Sequence, residues 1–595
     1  MLSPALLIAV PLTTAAFLGG FRRWLPRSIT DVLAFLTALF NLILACLWTH
    51  HALHVTQVYW FGNWFPRGTM VLGIGFVMDV TGCGLAALTA FLATLALLFS
   101  FRYTDSGGDH YHPLMLVFLA AMSGFALTAD LFNLFVFFEL MSTAAFALCG
   151  LKTQEPSPLA GAFNFAVTNT VAAFIMLTGI AMLYATTGAL NLAQIGLLLH
   201  GRHDRLVIAA FAFLVTGFLV KAAAVPFHFW LPDAHAVAPT SVCVLFSGIM
   251  VELGLFGAMR LYATIFQGCF AGTELHWLFV VSGAITAVWG AVMCFAEHHL
   301  KRLLAFSTIS HTGLMTLAFG LWSRQSLTGL LLYLTGHSLV KAALFFCAGI
   351  LLHRFRSVSE PYLFGKAKSL AWTGLLWMLG GLGLAAASGF LLDIGESHVT
   401  AQAPWAEAIF LIAGVLTGGA VLRVGLRVFL GLGDAVPTDE SAKVREEPET
   451  PEQSPIINWF LWLPPLLCIA GSLALTFWQP FTDGVWSSAI RFMDFRCYAH
   501  AVYQQFTPAA ILAAPKTPGS DLIFAVVRAL LAVGVAFWAV YRLRIPRALR
   551  WPSHIEGPMH PFREIQSGHP GDYVAWLTVG MTLLGAAAFW LGLGA

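Results

Sequence analysis

Apolar residues run along this chain in long unbroken blocks, without the strict alternation of a half-buried strand or the one-sided stripe of a soluble helix. Blocks of about 20 residues recur from end to end, each long enough to cross a hydrocarbon core of roughly 30 Å as a helix. About sixteen can be placed, at 3–20, 29–50, 75–100, 113–129, 131–150, 162–185, 206–226, 239–261, 277–295, 301–321, 327–352, 371–392, 407–431, 457–477, 521–543 and 574–593. The pattern predicts an all-α polytopic membrane protein. The first block has no Lys or Arg ahead of it and no small-residue cleavage pattern before Phe21, so it reads as a retained helix and not as a secretory signal.

Polar residues between the blocks order the chain. Loops after odd-numbered blocks hold most of the basic residues, including Arg22, Arg23, Lys152, Lys301, Arg302, Arg354 and Arg356, while those after even-numbered blocks hold few. The positive-inside bias then puts odd-numbered loops in the cytoplasm and both termini outside, in the inner (plasma) membrane. A polar stretch rich in Pro, Glu, Ser and Thr, at 433–456, has the composition of a solvated linker. It suggests N-terminal helices at 1–112, a core at 113–432 and a C-terminal set of helices and loops at 457–595.

Composition narrows the chemistry. The chain is 58% hydrophobic and 10% charged, against about 25% charged in a soluble domain. Nine scattered cysteines form no C-x-x-C and no spacing suited to zinc or an iron-sulfur cluster. No nucleotide loop or flavin motif is present, so no cofactor is expected here and any energy source would reside in other subunits. No basic tract suggests nucleic acid.

An ionisable side chain at mid-bilayer costs about 2.5–3.5 kcal/mol even on a lenient insertion scale, so each implies a partner or a task. Glu139 sits among Phe135, Phe137, Phe138 and Leu140 with no neighbouring charge in sequence. Lys221 ends an apolar run and precedes Ala222-Ala-Ala-Val-Pro226. Pro226 cannot donate to the carbonyl four residues back, so the helix is expected to break beside the lysine, and broken helices are where transporters place ion sites. Beyond the break stand His228, Asp233 and His235. Glu252 lies in the next helix, His337 and Lys341 share a helix face four residues apart, and Asp393 follows the glycine-loosened run Gly380, Gly381 and Gly383. Simpler readings compete: a structural Glu139–Lys221 ion pair, His337 bonded to a backbone carbonyl, and Glu252 and Asp393 near the interface.

Several segments resemble the antiporter-like membrane subunits shared by respiratory complex I, Mrp-type antiporters and group 4 membrane hydrogenases of the formate hydrogenlyase type. Phe137-Phe-Glu-Leu140 looks like their glutamate helix, and the stretch from Lys221 through His228, Asp233 and His235 to Thr240 like their broken lysine helix. Ser247-Gly-Ile-Met250, Lys301 to His311, and His337-Ser-Leu-Val-Lys341 are similar to further segments. With Asp79, the resemblance covers roughly 79–390. The length and the extra C-terminal helices look more like the large hydrogenase-type subunit.

The resemblance implies two inverted bundles, each with a broken helix, and a path for H+, or Na+, through Glu139, Lys221, His337, Lys341 and Asp393. His228 would join that path, with Glu252, Asp233, His235, Lys301 and His311 as further relay positions. It also implies other membrane subunits as neighbours and soluble redox subunits as indirect partners, the chain itself being non-catalytic. Glu252 stands where many relatives carry lysine, Asp393 where they carry Lys or Glu, and Ala385-Ala-Ala387 where they carry prolines before Ser-Gly-Phe. The alternatives are a membrane scaffold that anchors a redox enzyme, and a haem-carrying subunit using His228 and His337.

Overall fold

The computed structural model describes residues 2–101, 110–202, 204–270, 274–434, 458–504, 506–508, 522–541 and 568–593. The polar linker expected at 433–456 falls almost wholly outside them. The N-terminal region contains α1 (Leu6–Phe21), α2 (Arg27–His54), β1 (Val55–Trp60), β2 (Gly75–Met78) and α3 (Val80–Phe99). The first half of the core holds α4 (Tyr111–Leu127), α5 (Leu131–Cys149), α6 (Pro156–Thr187), the short α7 (Leu192–Leu199), α8 (Arg205–Lys221), α9 (Trp230–Val237), α10 (Thr240–Leu245) and α11 (Val251–Leu261).

The second half holds α12 (Glu274–Ala296), α13 (Leu300–Gly320), α14 (Arg324–Phe355), α15 (Glu360–Leu363), α16 (Ala371–Leu384), α17 (Leu391–Gln402) and α18 (Glu407–Val428). The C-terminal region adds α19 (Trp459–Phe477), α20 (Gln479–Met493), α21 (Phe495–Gln504), β3 (Phe506–Pro508), α22 (Leu522–Tyr541) and α23 (Pro570–Leu593). Twelve helices among the described residues are long and apolar enough to cross a membrane, and Leu6–Phe21, Tyr111–Leu127 and Ala371–Leu384 are shorter apolar helices. The fold is a polytopic helical bundle, with one feature the hydrophobic blocks did not predict. A three-stranded antiparallel sheet, in the order β2-β1-β3, joins the N-terminal and C-terminal regions at one face of the bundle.

Two helices are interrupted in the same way. At the end of α8, Ala222 N donates to Phe218 O, Ala223 N to Val220 O, Ala224 N to Leu219 O and Phe227 N to Ala224 O. At the end of α16, Ala385 N donates to Gly381 O, Ala386 N to Gly383 O, Ala387 N to Leu382 O and Phe390 N to Ala387 O, the same pattern in register. Ala223 and Ala386 hold matching left-handed conformations, each at φ +50°. Non-glycine residues in that region are strained and persist where surrounding structure over-determines them. The second break therefore forms without its prolines. The chain runs through α8–α9 from the sheet face inward and through α16–α17 in the reverse sense, so the two halves are inverted repeats with discontinuous helices.

Close backbone approach fixes the second break against its neighbour. A Cβ on Gly329 of α14 would stand 2.5 Å from Gly395 O, and one on Gly395 would stand 2.7 Å from Gly329 O. Only glycine on both helices permits that contact.

Candidate functional site

Lys221 is the last residue of α8, at the point where the helix opens, and it is fully buried. Its Nζ donates to Ser142 Oγ at 2.5 Å and lies 4.4 Å from the centre of the Phe138 ring, so an aromatic face and a hydroxyl share the charge. Gly254 lets α11 close on the break, since a Cβ there would be 2.7 Å from Ala222 N. Glu139 precedes Ser142 by three residues on α5, hence on the same face. It acts on Lys221 through space, while its buried Oε1 has no hydrogen-bond partner among the described residues. The expected pair is thus held open, with Ser142 occupying the ammonium.

A second group lies at the centre of the bundle. Glu252 follows a π-helical turn, Phe246–Met250, of the kind that recurs at functional sites. It is fully buried within the bundle. His337 Nδ1 donates to its Oε1 at 2.7 Å and Ser338 Oγ to its Oε2 at 2.5 Å. The partner of His337 is a carboxylate, not the backbone carbonyl of the simpler reading. The His337 ring stacks on that of His311 at 5.1 Å.

His311 in turn bonds Tyr333 Oη through Nδ1 at 2.6 Å and Thr417 Oγ1 through Nε2 at 3.1 Å. The Thr417 hydroxyl also reaches Ala413 O, so His311 sits between two hydroxyls, each of which can exchange a proton with its ring.

His337 and Lys341, four apart on one face of α14, bond different partners. Lys341 Nζ donates to Leu304 O and to Ser307 Oγ on α13, whereas His337 turns to Glu252. Lys341 still acts electrostatically on His337, His311 and His235. His235 stacks on Phe345 at 4.8 Å, with neither ring nitrogen hydrogen-bonded among the described residues. Lys301 donates to Ala238 O at 2.7 Å and lies within electrostatic reach of His235. Lys301, His235, Lys341 and the His337–His311 pair thus form a buried file of bases.

At the second break, Asp393 meets two residues that the sequence pattern alone did not single out. Arg528 Nη2 of α22 donates to Asp393 Oδ1 at 2.6 Å, and its Nη1 bonds Glu396. Tyr333 lies within electrostatic reach of both Glu396 and Arg528, which extends the central group to this end. The missed signals differ. Arg528 is a charge inside an apolar block, the same anomaly that exposed Glu139, while Tyr333 inside α14 is indistinguishable in sequence from a packing aromatic.

His228 and Asp233 are not gathered into these groups. His228 Nε2 accepts from Trp289 Nε1 at 2.9 Å, and Asp233 Oδ2 accepts from Tyr573 Oη at 2.6 Å. Pro226 sits against α23, where a Cβ on Gly580 would approach its Cγ to 2.6 Å. Among the described residues, no group of three or more His, Cys, Asp or Glu is arranged to hold a metal ion.

Inverted broken helices enclosing a buried lysine, histidines and carboxylates define the class of antiporter-like membrane subunits. The chain belongs to the family described as NADH:quinone oxidoreductase/Mrp antiporter, TM, which matches residues 128–428, just over half its length. It is 28% identical to the D-type subunit of the Na(+)/H(+) antiporter of Alkalihalophilus pseudofirmus over 62% of the chain and 75% of that relative. It is 33% identical to the N-type subunit of the NADH-quinone oxidoreductase of Desulforudis audaxviator over 49% of the chain, spanning 58% of that relative's length. Among solved structures, the Mrp complex from Dietzia sp. DQ12-45-1b superposes with a TM-score of 0.76 at 26% identity, covering 84% of this chain and 100% of that one. An archaeal membrane-bound sulfane sulfur reductase superposes at 0.74 with 23% identity, covering 84% and 99%, a likeness of fold.

Proposed function

We propose that this chain is a proton-translocating membrane subunit of a larger respiratory or hydrogenase-like complex. The observation that carries this reading is the open Glu139–Lys221 pair beside a helix break, with a continuing file of buried titratable groups beyond it. Glu139 and Lys221 form the switch. An opposite charge 4 Å away, at an effective dielectric near 20, is worth about 4 kcal/mol. That exceeds the roughly 2.3 kcal/mol needed to move one charge against 100 mV. When Glu139 closes on Lys221 the ammonium is held, and when Ser142 is its only partner it releases a proton more readily.

The released proton passes to Glu252 and His337 through water, because no described side chain joins Lys221 to Glu252. From His337 it moves by way of His311 and Tyr333 to Asp393 and Glu396. Lys301, His235 and Lys341 supply the same centre from the face opposite the sheet. Both termini lie outside the inner membrane in this reading, the driving reaction occurs in soluble redox subunits, and Na+ is the alternative cargo, as the name of the Alkalihalophilus relative suggests.

The test is proton flux in vesicles carrying the assembled complex with Glu139→Gln. Flux should fall to background while the complex still assembles. Full flux in assembled Glu139→Gln complex would favour the scaffold reading, and flux that follows a sodium gradient instead would reassign the cargo.

A further inference from the structure

The last two helices lie beyond the 128–428 match, yet each reaches one of the two broken helices: α23 packs on α8, and α22 packs on α18 and reaches α17 through Arg528. α22 turns Ala525, Arg528, Ala532 and Ala536 inward and leaves Leu522, Ile523 and Leu530 exposed. The small inward residues bring it close to α18, where a Cβ on Gly419 would stand 3.3 Å from Ala532 O and 3.5 Å from Val535 Cβ. Arg528 is thereby carried inside, 6% exposed, onto Asp393 and Glu396. α23 does the counterpart at the first break, with Gly580 against Pro226 and Phe227 and Tyr573 on Asp233. In the register of the two breaks, Asp233 and Glu396 occupy equivalent positions, so the appended helices contact the same acid position of each inverted half.

A guanidinium serving two carboxylates in a buried site is a specific arrangement, because arginine's rigid fork can hold both at fixed positions. The groups near it are Asp393 and Glu396 on α17 and Tyr333 on α14 with His311 behind it, while Glu407 at the start of α18 acts on Glu396. Nothing in the apolar docking of α22 requires a charge there. We propose that Arg528 is a positioning residue that clamps Asp393 and Glu396 at the outlet, so that a proton delivered past Tyr333 neutralises one acid and frees it to discharge the proton at the sheet face. This rests on the pathway proposed above.

The assembled complex in vesicles provides the test, with docking of α22 read separately by a Gly419→Cys/Val535→Cys cross-link, whose Cβ spacing suits a disulfide. Arg528→Gln should cross-link like the parent yet lose at least about tenfold in proton flux, and Arg528→Lys, which keeps the charge but not the fork, should recover that flux only in part. Unchanged flux in Arg528→Gln, or parental flux in a cross-linked Arg528→Lys protein, overturns the clamp. Should Arg528→Gln fail to dock, the exchange Arg528→Glu with Glu396→Arg decides: flux returning with the cross-link supports the clamp, and a docked exchange variant without flux refutes it. Lys221→Ala separates the two ideas. Wild-type flux there removes the pathway itself, whereas lost flux there beside normal flux in Arg528→Gln removes only the clamp.

Discussion

Lys221 Nζ lies 2.5 Å from Ser142 Oγ, while Glu139, one turn earlier on the same face of α5, leaves a buried oxygen unbonded among the described residues. Ser142 therefore competes with Glu139 for the ammonium. Ser142→Ala should drive Lys221 onto Glu139 and slow proton flux severalfold without loss of assembly. Flux assays on vesicles, paired with native gels for assembly, would check this.

Glu252 on α11 ties that helix to α14 through His337 and Ser338. Glu252→Gln keeps the volume but replaces one carboxyl oxygen with an amide donor, so it should cost about 1–3 kcal/mol of stability and interrupt flux. Thermal unfolding of the purified protein and vesicle flux report the two effects separately.

Tyr333 is hydrogen-bonded to His311 and lies within electrostatic reach of Glu396, so in the proposed pathway its hydroxyl joins the central group to the outlet. Tyr333→Phe removes only that hydroxyl. The ring packing should persist, with an unfolding temperature close to the parent, while flux falls at least about tenfold if the hydroxyl carries the proton.

Glu360, the first residue of the short α15, gives a pH-dependent prediction. Burial alone would raise its carboxyl, but Arg423 at 2.8 Å, His298 at 3.1 Å and Arg427 at 3.1 Å outweigh it and hold it at about 2, below its ordinary 4.5. The folded value is the lower one, so this contribution, on the order of 3 kcal/mol, is complete above about pH 4.5 and is lost as pH falls toward 2. Melting temperature against pH should drop through that window in the parent, and more shallowly in Glu360→Gln, which starts lower at pH 7.

Much of this was legible from residue order because a charge in an apolar block is a costly anomaly. Lys221 beside Pro226 marked the first break, and Glu139, Glu252, His337 and Asp393 stood out against apolar neighbours. The second break was less visible, since Ala385-Ala-Ala387 carries no breaker. It is imposed by the repeat and by packing such as Gly329 on Gly395. The sheet was invisible because its strands are short and β3 reaches β1 from the far end of the chain, and Lys341's turn away from His337 depends on where α13 presents Leu304 O and Ser307. Arg528 was readable by the same charge anomaly; Tyr333 became meaningful only once His311 and Glu396 were beside it.

The central claim is that Lys221 carries the proton. Its most direct measurement is voltage-driven acidification of vesicles bearing assembled complex with Lys221→Ala. The account expects acidification no faster than in protein-free vesicles; a rate equal to the parent would contradict it.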